Sequence, residues 1–180
     1  TVDCFVNSDV TIKKVCTAMR NTFAKASPSD AIILYFSGHG VPGGLVCYDG
    51  VLYYSSVLSI MRQSKAQQKM IFVDACFAGK MRNTNKRNTN YSKENVMFFL
   101  SSRSTEKSLE TPRQTGFNNS LFTVFLERGL RGGADTNKDR VITAKEIYNF
   151  VHQGVVEASG NRQHPVMWGK FDGNMPVIKW

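Results

Sequence analysis

Two residues in this chain could carry a hydrolytic reaction. They are His39, in Tyr35-Phe36-Ser37-Gly38-His39-Gly40, and Cys76, in Asp74-Ala75-Cys76-Phe77-Ala78-Gly79. A thiolate attacks a carbonyl, and an imidazole beside it manages the proton and protonates the leaving amine. Each residue follows an apolar run, Ala31 to Phe36 and Met70 to Val73, of the type that forms a strand covered on both faces. If the two strands are parallel neighbours, both residues emerge at one edge of the sheet, where α/β folds build their sites. Gly38 and Gly40 let the backbone around His39 turn sharply. Backbone N–H groups at Gly40 and Cys76 are the natural oxyanion donors. A small buried cysteine and a hydrogen-bonding loop histidine are the plainer readings of the same residues. Residue pattern alone leaves both open.

Asp74 bears on specificity. Two residues before Cys76, it leaves the strand on the same side. A carboxylate there favours a cationic substrate side chain before the scissile bond and repels an acidic one. The alternative is that Asp74 caps the following helix or bonds a loop amide.

Ser-Gly-His-Gly after one apolar strand and Asp-x-Cys-x-x-Gly after the next resemble the caspase, metacaspase and bacterial caspase-like peptidases. The resemblance continues through Phe98-Phe99-Leu100-Ser101-Ser102, Glu110, Ser120-Leu121-Phe122-Thr123 and Asp135 to Tyr148. It implies a caspase-like fold and a cysteine endopeptidase that works as a Cys76–His39 dyad without a third member. In this family metacaspases carry Asp at the position of Asp74 and cut after Arg or Lys, whereas caspases carry Gln there and cut after Asp. Ser37 also matches a metacaspase pocket position. Ser101, Ser102 and Arg103 correspond to the segment lining the substrate groove, where an extended peptide binds as an added strand. Glu110 could add negative potential. The residues themselves allow ordinary turn chemistry at these positions. The competing functions are a catalytically dead scaffold or adaptor of the same fold, against which the intact His39 and Cys76 argue, and a calcium-responsive binding module whose working part is Asp135 to Glu146.

The elements that must position these residues alternate along the chain. Val2, Cys4 and Val6 read as a short strand; Ile12, Val15, Cys16, Met19 and Phe23 have helical spacing, ended by Ser27-Pro28-Ser29-Asp30. After the His39 strand, Leu45 to Tyr48 and Val51 to Tyr54 form a hairpin joined by Asp49-Gly50. Ser55 is placed to cap a helix carrying Val57, Leu58 and Met61. Val96 to Leu100 is a third buried-type strand, Leu121 to Leu130 a helix, and Thr143 to Val155 another. Pro165 to Trp168 adds a strand, with Pro176 to Trp180 packing after it. This order predicts an α/β fold with a mostly parallel central sheet flanked by helices. A single caspase-like domain spans residues 1–180. By resemblance, a first strand and helix belong ahead of Val2, and that strand lies centrally. An N-terminal fragment supplying it is therefore the expected partner, since an unfilled sheet would expose unpaired backbone groups.

Composition bounds the rest. The chain of 180 residues is 42% hydrophobic and 21% charged, ordinary for a soluble domain. No apolar run is long enough to span a membrane, and no signal peptide stands at the N-terminus. Cys4, Cys16, Cys47 and Cys76 form no C-x-x-C pair, so free thiols in a reducing, cytoplasmic compartment are the simplest reading, which leaves export open. The net charge of +9 is uneven, with Lys80, Arg82, Lys86, Arg87 and Lys93 falling in one stretch of the 80–95 region that has no acid before Glu94. That Asn-rich stretch reads as a mobile basic loop and a candidate processing site, and nothing resembles a nucleic-acid-binding motif. The substrate class expected is a peptide or protein with Arg or Lys before the scissile bond.

The 135–146 stretch follows the calcium-loop template of an EF-hand, with Asp135, Asn137, Asp139 and Glu146 at its ligand positions. Arg140 stands where the template needs Gly. Calcium is thus one expectation, although the Cys–His chemistry needs no cofactor. The favoured alternative is a loop whose side chains cap the helix at Thr143.

Overall fold

The architecture follows from one strand that is apolar on both sides. In this computed structural model, which describes residues 1–75, 95–103, 109 and 120–180, strand β5 (Gln68–Ala75) is buried over its last six residues. Its side chains alternate between two cores. Ile71, Val73 and Ala75 face one core with residues of helices α1 (Ile12–Phe23) and α2 (Tyr54–Gln63). Met70 and Phe72 face a second core with helices α3 (Leu121–Arg128) and α4 (Ala144–Ala158). A strand with helices on both faces needs strands at both edges. β1 (Ala31–Gly38) pairs with it in parallel from Ala31↔Gln68 to Gly38↔Ala75. β6 (Met97–Leu100) pairs in parallel on the other side.

β8 (Val166–Trp168) then closes the sheet antiparallel to β6, with Trp168 stacked on Phe98 at 4.0 Å between ring centroids. The order β1-β5-β6-β8 is the expected mixed α/β sheet, parallel in two of its three pairings. Two small antiparallel sheets sit beside it. β2 (Gly40–Val41), β3 (Gly44–Cys47) and β4 (Gly50–Tyr53) form one; β7 (Val141–Thr143) and β9 (Pro176–Lys179) form the other.

The hairpin closes at Cys47↔Gly50, so Tyr48 and Asp49 are the turn and Gly50 opens the second strand with φ 147°. Asp49 also reaches α1, accepting the Ile12 N–H at 2.8 Å.

Four expectations are corrected. Residues 1–6 form no strand, and Asn7–Asp9 is a 3-10 turn; Val2 and Val6 are 91% and 61% exposed. Alternation marks a possible face, and a strand also needs a neighbour to pair with. Ser55 does not cap α2. Tyr53 is the N-cap, without a side-chain bond, and Ser55 lies within the first turn. α3 ends at Arg128 and runs on as a π-helical stretch, Gly129–Gly133. The last apolar segment does more than pack, because β9 pairs with β7 in the acidic loop.

Among the described residues no strand lies outside β1, and Ile33 and Tyr35 on its α3-side face are 48% and 46% exposed. No described helix is long and apolar enough to cross a membrane.

α3 and α4 approach closely through glycine. A Cβ on Gly154 would lie 2.3 Å from the Phe125 ring. Helix propensity alone says Gly→Ala in α4 should stabilise by up to about 1 kcal/mol. The collision reverses the sign, since overpacking typically costs about 1–3 kcal/mol. Gly154→Ala is expected to lower the unfolding free energy in denaturant titration; a more stable variant would show the contact to be loose.

Candidate functional site

The parallel register decides where the reactive residues leave the sheet. The β1–β5 ladder ends at Gly38↔Ala75, and those two residues immediately precede His39 and Cys76 in sequence. His39 is exposed between β1 and β2, and its carbonyl accepts the Val46 N–H at 2.9 Å, which ties it to the hairpin. Gly40 is drawn into β2 opposite Leu45. Cys76 lies outside the described residues, as do Glu110 and Lys80, Arg82, Lys86, Arg87 and Lys93, the processing candidates.

The end of β5 is fastened by the segment after β6. Ser101 and Ser102 are fully buried. The Ser101 hydroxyl bonds both the N–H and the carbonyl of Ala75 at 3.1 Å, and its own N–H donates to Val73. The Ser102 hydroxyl also faces the Ala75 carbonyl, at 3.5 Å. Gln163, also fully buried, donates to the Ser101 carbonyl at 2.8 Å and accepts the Leu109 N–H at 2.8 Å. Both serine side chains therefore hold the backbone next to Cys76 and are buried. Sequence reasoning gave Gln163 no role, and an isolated glutamine in a polar loop offers no signal.

Asp74 is only 4% exposed. Its Oδ2 accepts from the hydroxyls of Ser120, the N-cap of α3, and Thr123, in the first turn. The Ser120 hydroxyl also accepts the Thr123 N–H at 3.1 Å. The side chain thus meets a helix start, though that of α3, far along the chain. Ser37 stands opposite Asp74 in the ladder. Two positions back on the same face, the Tyr35 hydroxyl is 2.7 Å from the Thr123 hydroxyl. Burial pushes the Tyr35 phenol above its ordinary range, and the Asp74 charge adds to that, against the opposing bonds from Thr123 and Ser37. The structure therefore brings Ser37 and Asp74 together and adds Tyr35, Ser120 and Thr123. The parity of Tyr35 with Ser37 was the available signal.

A second polar group lies near Arg103. The His152 ring packs between Tyr148 and His164, with centroids at 5.3 and 6.3 Å. Burial lowers the His152 pKa, helped by His164 and Arg103.

In the acidic loop, side-chain oxygens serve the loop itself. Asp135 accepts from the Arg140 N–H, Asn137 from the Asp139 N–H and Asp139 from the Val141 N–H. Thr143 and Glu146 form a full capping box on α4, and Glu146 also accepts from Thr136. Arg140 makes the template's glycine turn with φ 65°, and Lys138 has φ 60°. The other Asp135 oxygen is buried without a partner. No three His, Cys, Asp or Glu among the described residues form a group able to hold a metal ion. Asp135, Asn137, Asp139 and Glu146, the ligand set expected for calcium, are here engaged in loop and capping bonds.

Comparison with known proteins fits this geometry. A family model described as the caspase domain matches residues 1–174. Among solved structures, a Geobacter sulfurreducens protein from a structural-genomics programme superposes with a TM-score of 0.61 at 17% identity. The match covers 91% of this chain and 75% of that one, and shows a shared fold. The comparison with curated proteins found no match.

The Tyr35 cluster has a titration signature. A neighbouring negative charge disfavours phenolate, so Asp74→Asn should lower the Tyr35 pKa, and burial should keep it above the ordinary value. Carbon NMR of the labelled Tyr35 ring across alkaline pH reads this out; an unmoved midpoint would separate the two groups.

Proposed function

This chain belongs to the caspase domain family, and from that premise we propose that it is a cysteine endopeptidase cutting peptide bonds after Arg or Lys. The observation carrying the proposal is the β1–β5 register, which ends level at the residues before His39 and Cys76. In this reading the Cys76 thiolate adds to the substrate carbonyl, and the Gly40 and Cys76 N–H groups receive the oxyanion. His39 protonates the departing amine, and water then releases the acyl group. No cofactor is called for. Asp74 and Ser37 supply the preference for a cationic side chain, and Ser101 and Ser102 contribute by fixing the Ala75 backbone.

Two further parts belong to the proposal. An N-terminal segment pairs with the outer edge of β1, where Ile33 and Tyr35 are half-exposed. The basic loop holding Lys80, Arg82, Lys86, Arg87 and Lys93 is a matched substrate for the enzyme's own site, at high effective concentration, so cleavage there activates it.

Fluorogenic peptides with Arg, Lys, Asp or Ala before the scissile bond test the reading. Cys76→Ala and His39→Ala should each abolish hydrolysis with an unchanged circular-dichroism spectrum; near wild-type turnover by either refutes the dyad. Arg and Lys should exceed Asp by several orders of magnitude, since an unpaired buried charge costs several kcal/mol and ~1.4 kcal/mol is tenfold. Efficient cleavage after Asp overturns the assigned specificity.

Self-processing is tested by intact-mass spectrometry of purified wild type and Cys76→Ala. Wild type should show cuts after basic residues of the loop and Cys76→Ala none. An active wild type of the same uncut mass would rule self-cleavage out.

A further inference from the structure

We propose that Thr123 and Tyr35 are positioning residues for substrate selectivity, forming a one-directional hydroxyl relay that holds the Asp74 carboxylate at the end of β5. The inference rests on Asp74 being the cation-selecting group, and adds what keeps it competent for that task.

Proton counting fixes the direction of the relay. An ionised carboxylate only accepts, and each hydroxyl has one proton. Ser120 and Thr123 both reach Asp74 Oδ2, so each gives its proton there. Thr123 then has none left for Tyr35, and the 2.7 Å contact between their oxygens is filled by the phenol's proton. The order is Tyr35 O–H to Thr123 oxygen, and Thr123 O–H to Asp74. Ser120 spends its lone pair on the Thr123 N–H at 3.1 Å, which locks the donor residues to each other.

This arrangement answers a physical problem at the site. A carboxylate that is 4% exposed has lost most of its water and needs hydrogen-bond donors in its place. Two hydroxyl donors on one oxygen supply them and hold the charged group in place. Tyr35 is the exposed end of the relay. It shares a face of β1 with Ser37, which stands opposite Asp74, so a cationic side chain reaching Asp74 past Ser37 passes a half-exposed aromatic ring. Such a ring itself favours a cation. Burial and the Asp74 charge keep the phenol protonated, so the relay does not reverse in the neutral range.

The test pairs two fluorogenic peptides, one with arginine and one with its uncharged isostere citrulline before the scissile bond. They are compared on wild type, Asp74→Asn, Thr123→Val, Thr123→Ser and Tyr35→Phe, each with a thermal melt. Wild type should favour arginine and Asp74→Asn should lose the preference. Thr123→Val should reduce the arginine-to-citrulline ratio of kcat/KM by roughly tenfold or more, the scale of a hydrogen bond to a charged group. The loss should fall on KM for arginine more than on kcat. Thr123→Ser, which keeps the hydroxyl, should restore the ratio, and Tyr35→Phe should fall between. A Thr123→Val enzyme that melts lower with an intact ratio, while Asp74→Asn loses it, overturns the relay and leaves the Asp74 reading standing. A wild type indifferent to arginine and citrulline overturns both. Should Thr123→Val fail to fold, Tyr35→Phe at the half-exposed end decides, and an unchanged ratio there refutes the proposal.

Discussion

The Asp74 carboxylate is the constraint around which this end of the molecule is arranged. β5 is apolar enough to be buried on both sides, yet its last residue but one is an acid that is also buried. An uncompensated charge there would cost several kcal/mol, a large share of the stability of an ordinary domain. The compensation comes from α3, whose N-cap and first-turn hydroxyls both turn toward the acid. α3 therefore cannot rotate or slide along the sheet without stranding the charge. Its middle is held by α4 through the close Gly154–Phe125 approach. A helix fastened at its start and its middle makes a firm wall beside the edge where β1 and β5 finish.

The same edge is fixed from the other side by backbone chemistry. Parallel strands fix their register through evenly spaced, slanted hydrogen bonds, and that ladder runs unbroken for eight residue pairs to Gly38↔Ala75. Ser101 then occupies both backbone polar groups of Ala75, and Gln163 holds Ser101. Fully buried polar groups are tolerable only when bonded, so this network is satisfied or it would be selected against on stability alone. Its effect is to stop the chain at a defined point one residue before Cys76. His39 is held less rigidly, by a carbonyl bond to the hairpin with its ring exposed.

What the sequence made legible was what periodicity and burial encode. Met70 to Val73 and Val96 to Leu100 are strands because nothing polar interrupts them, and α1 follows from Cys16, Met19 and Phe23 on one face. Val2, Cys4 and Val6 alternate just as a strand does, but pairing is a non-local property that alternation does not contain. Ser55 had the right chemistry for a cap, but α2 starts one residue before it, directly from β4. β7 was hidden because Val141 and Ile142 sit inside a loop read by its acids, and its partner β9 lies far along the chain. Tyr35 looked like core. Its ring is half-exposed because β1 is the last strand of the described sheet, and its hydroxyl matters only because α3 brings Thr123 to it.

The two α-helices of the second core begin in contrasting ways, and the contrast locates function. α4 starts from its own neighbourhood. Thr143 and Glu146 close a capping box, and the preceding Asp135 and Asp139 bond amides within the same loop. Such a start is self-sufficient, so the left-handed turn at Arg140 is stabilised locally and asks nothing of the sheet. α3 starts with Ser120, which caps it and at the same time bonds an acid 46 residues earlier in the chain. A local cap stabilises a helix; a cap shared with a distant buried acid couples helix and sheet. Changes at the α4 start should therefore register as stability alone, whereas changes at the α3 start alter the charge environment at the end of β5, beside the proposed catalytic pair.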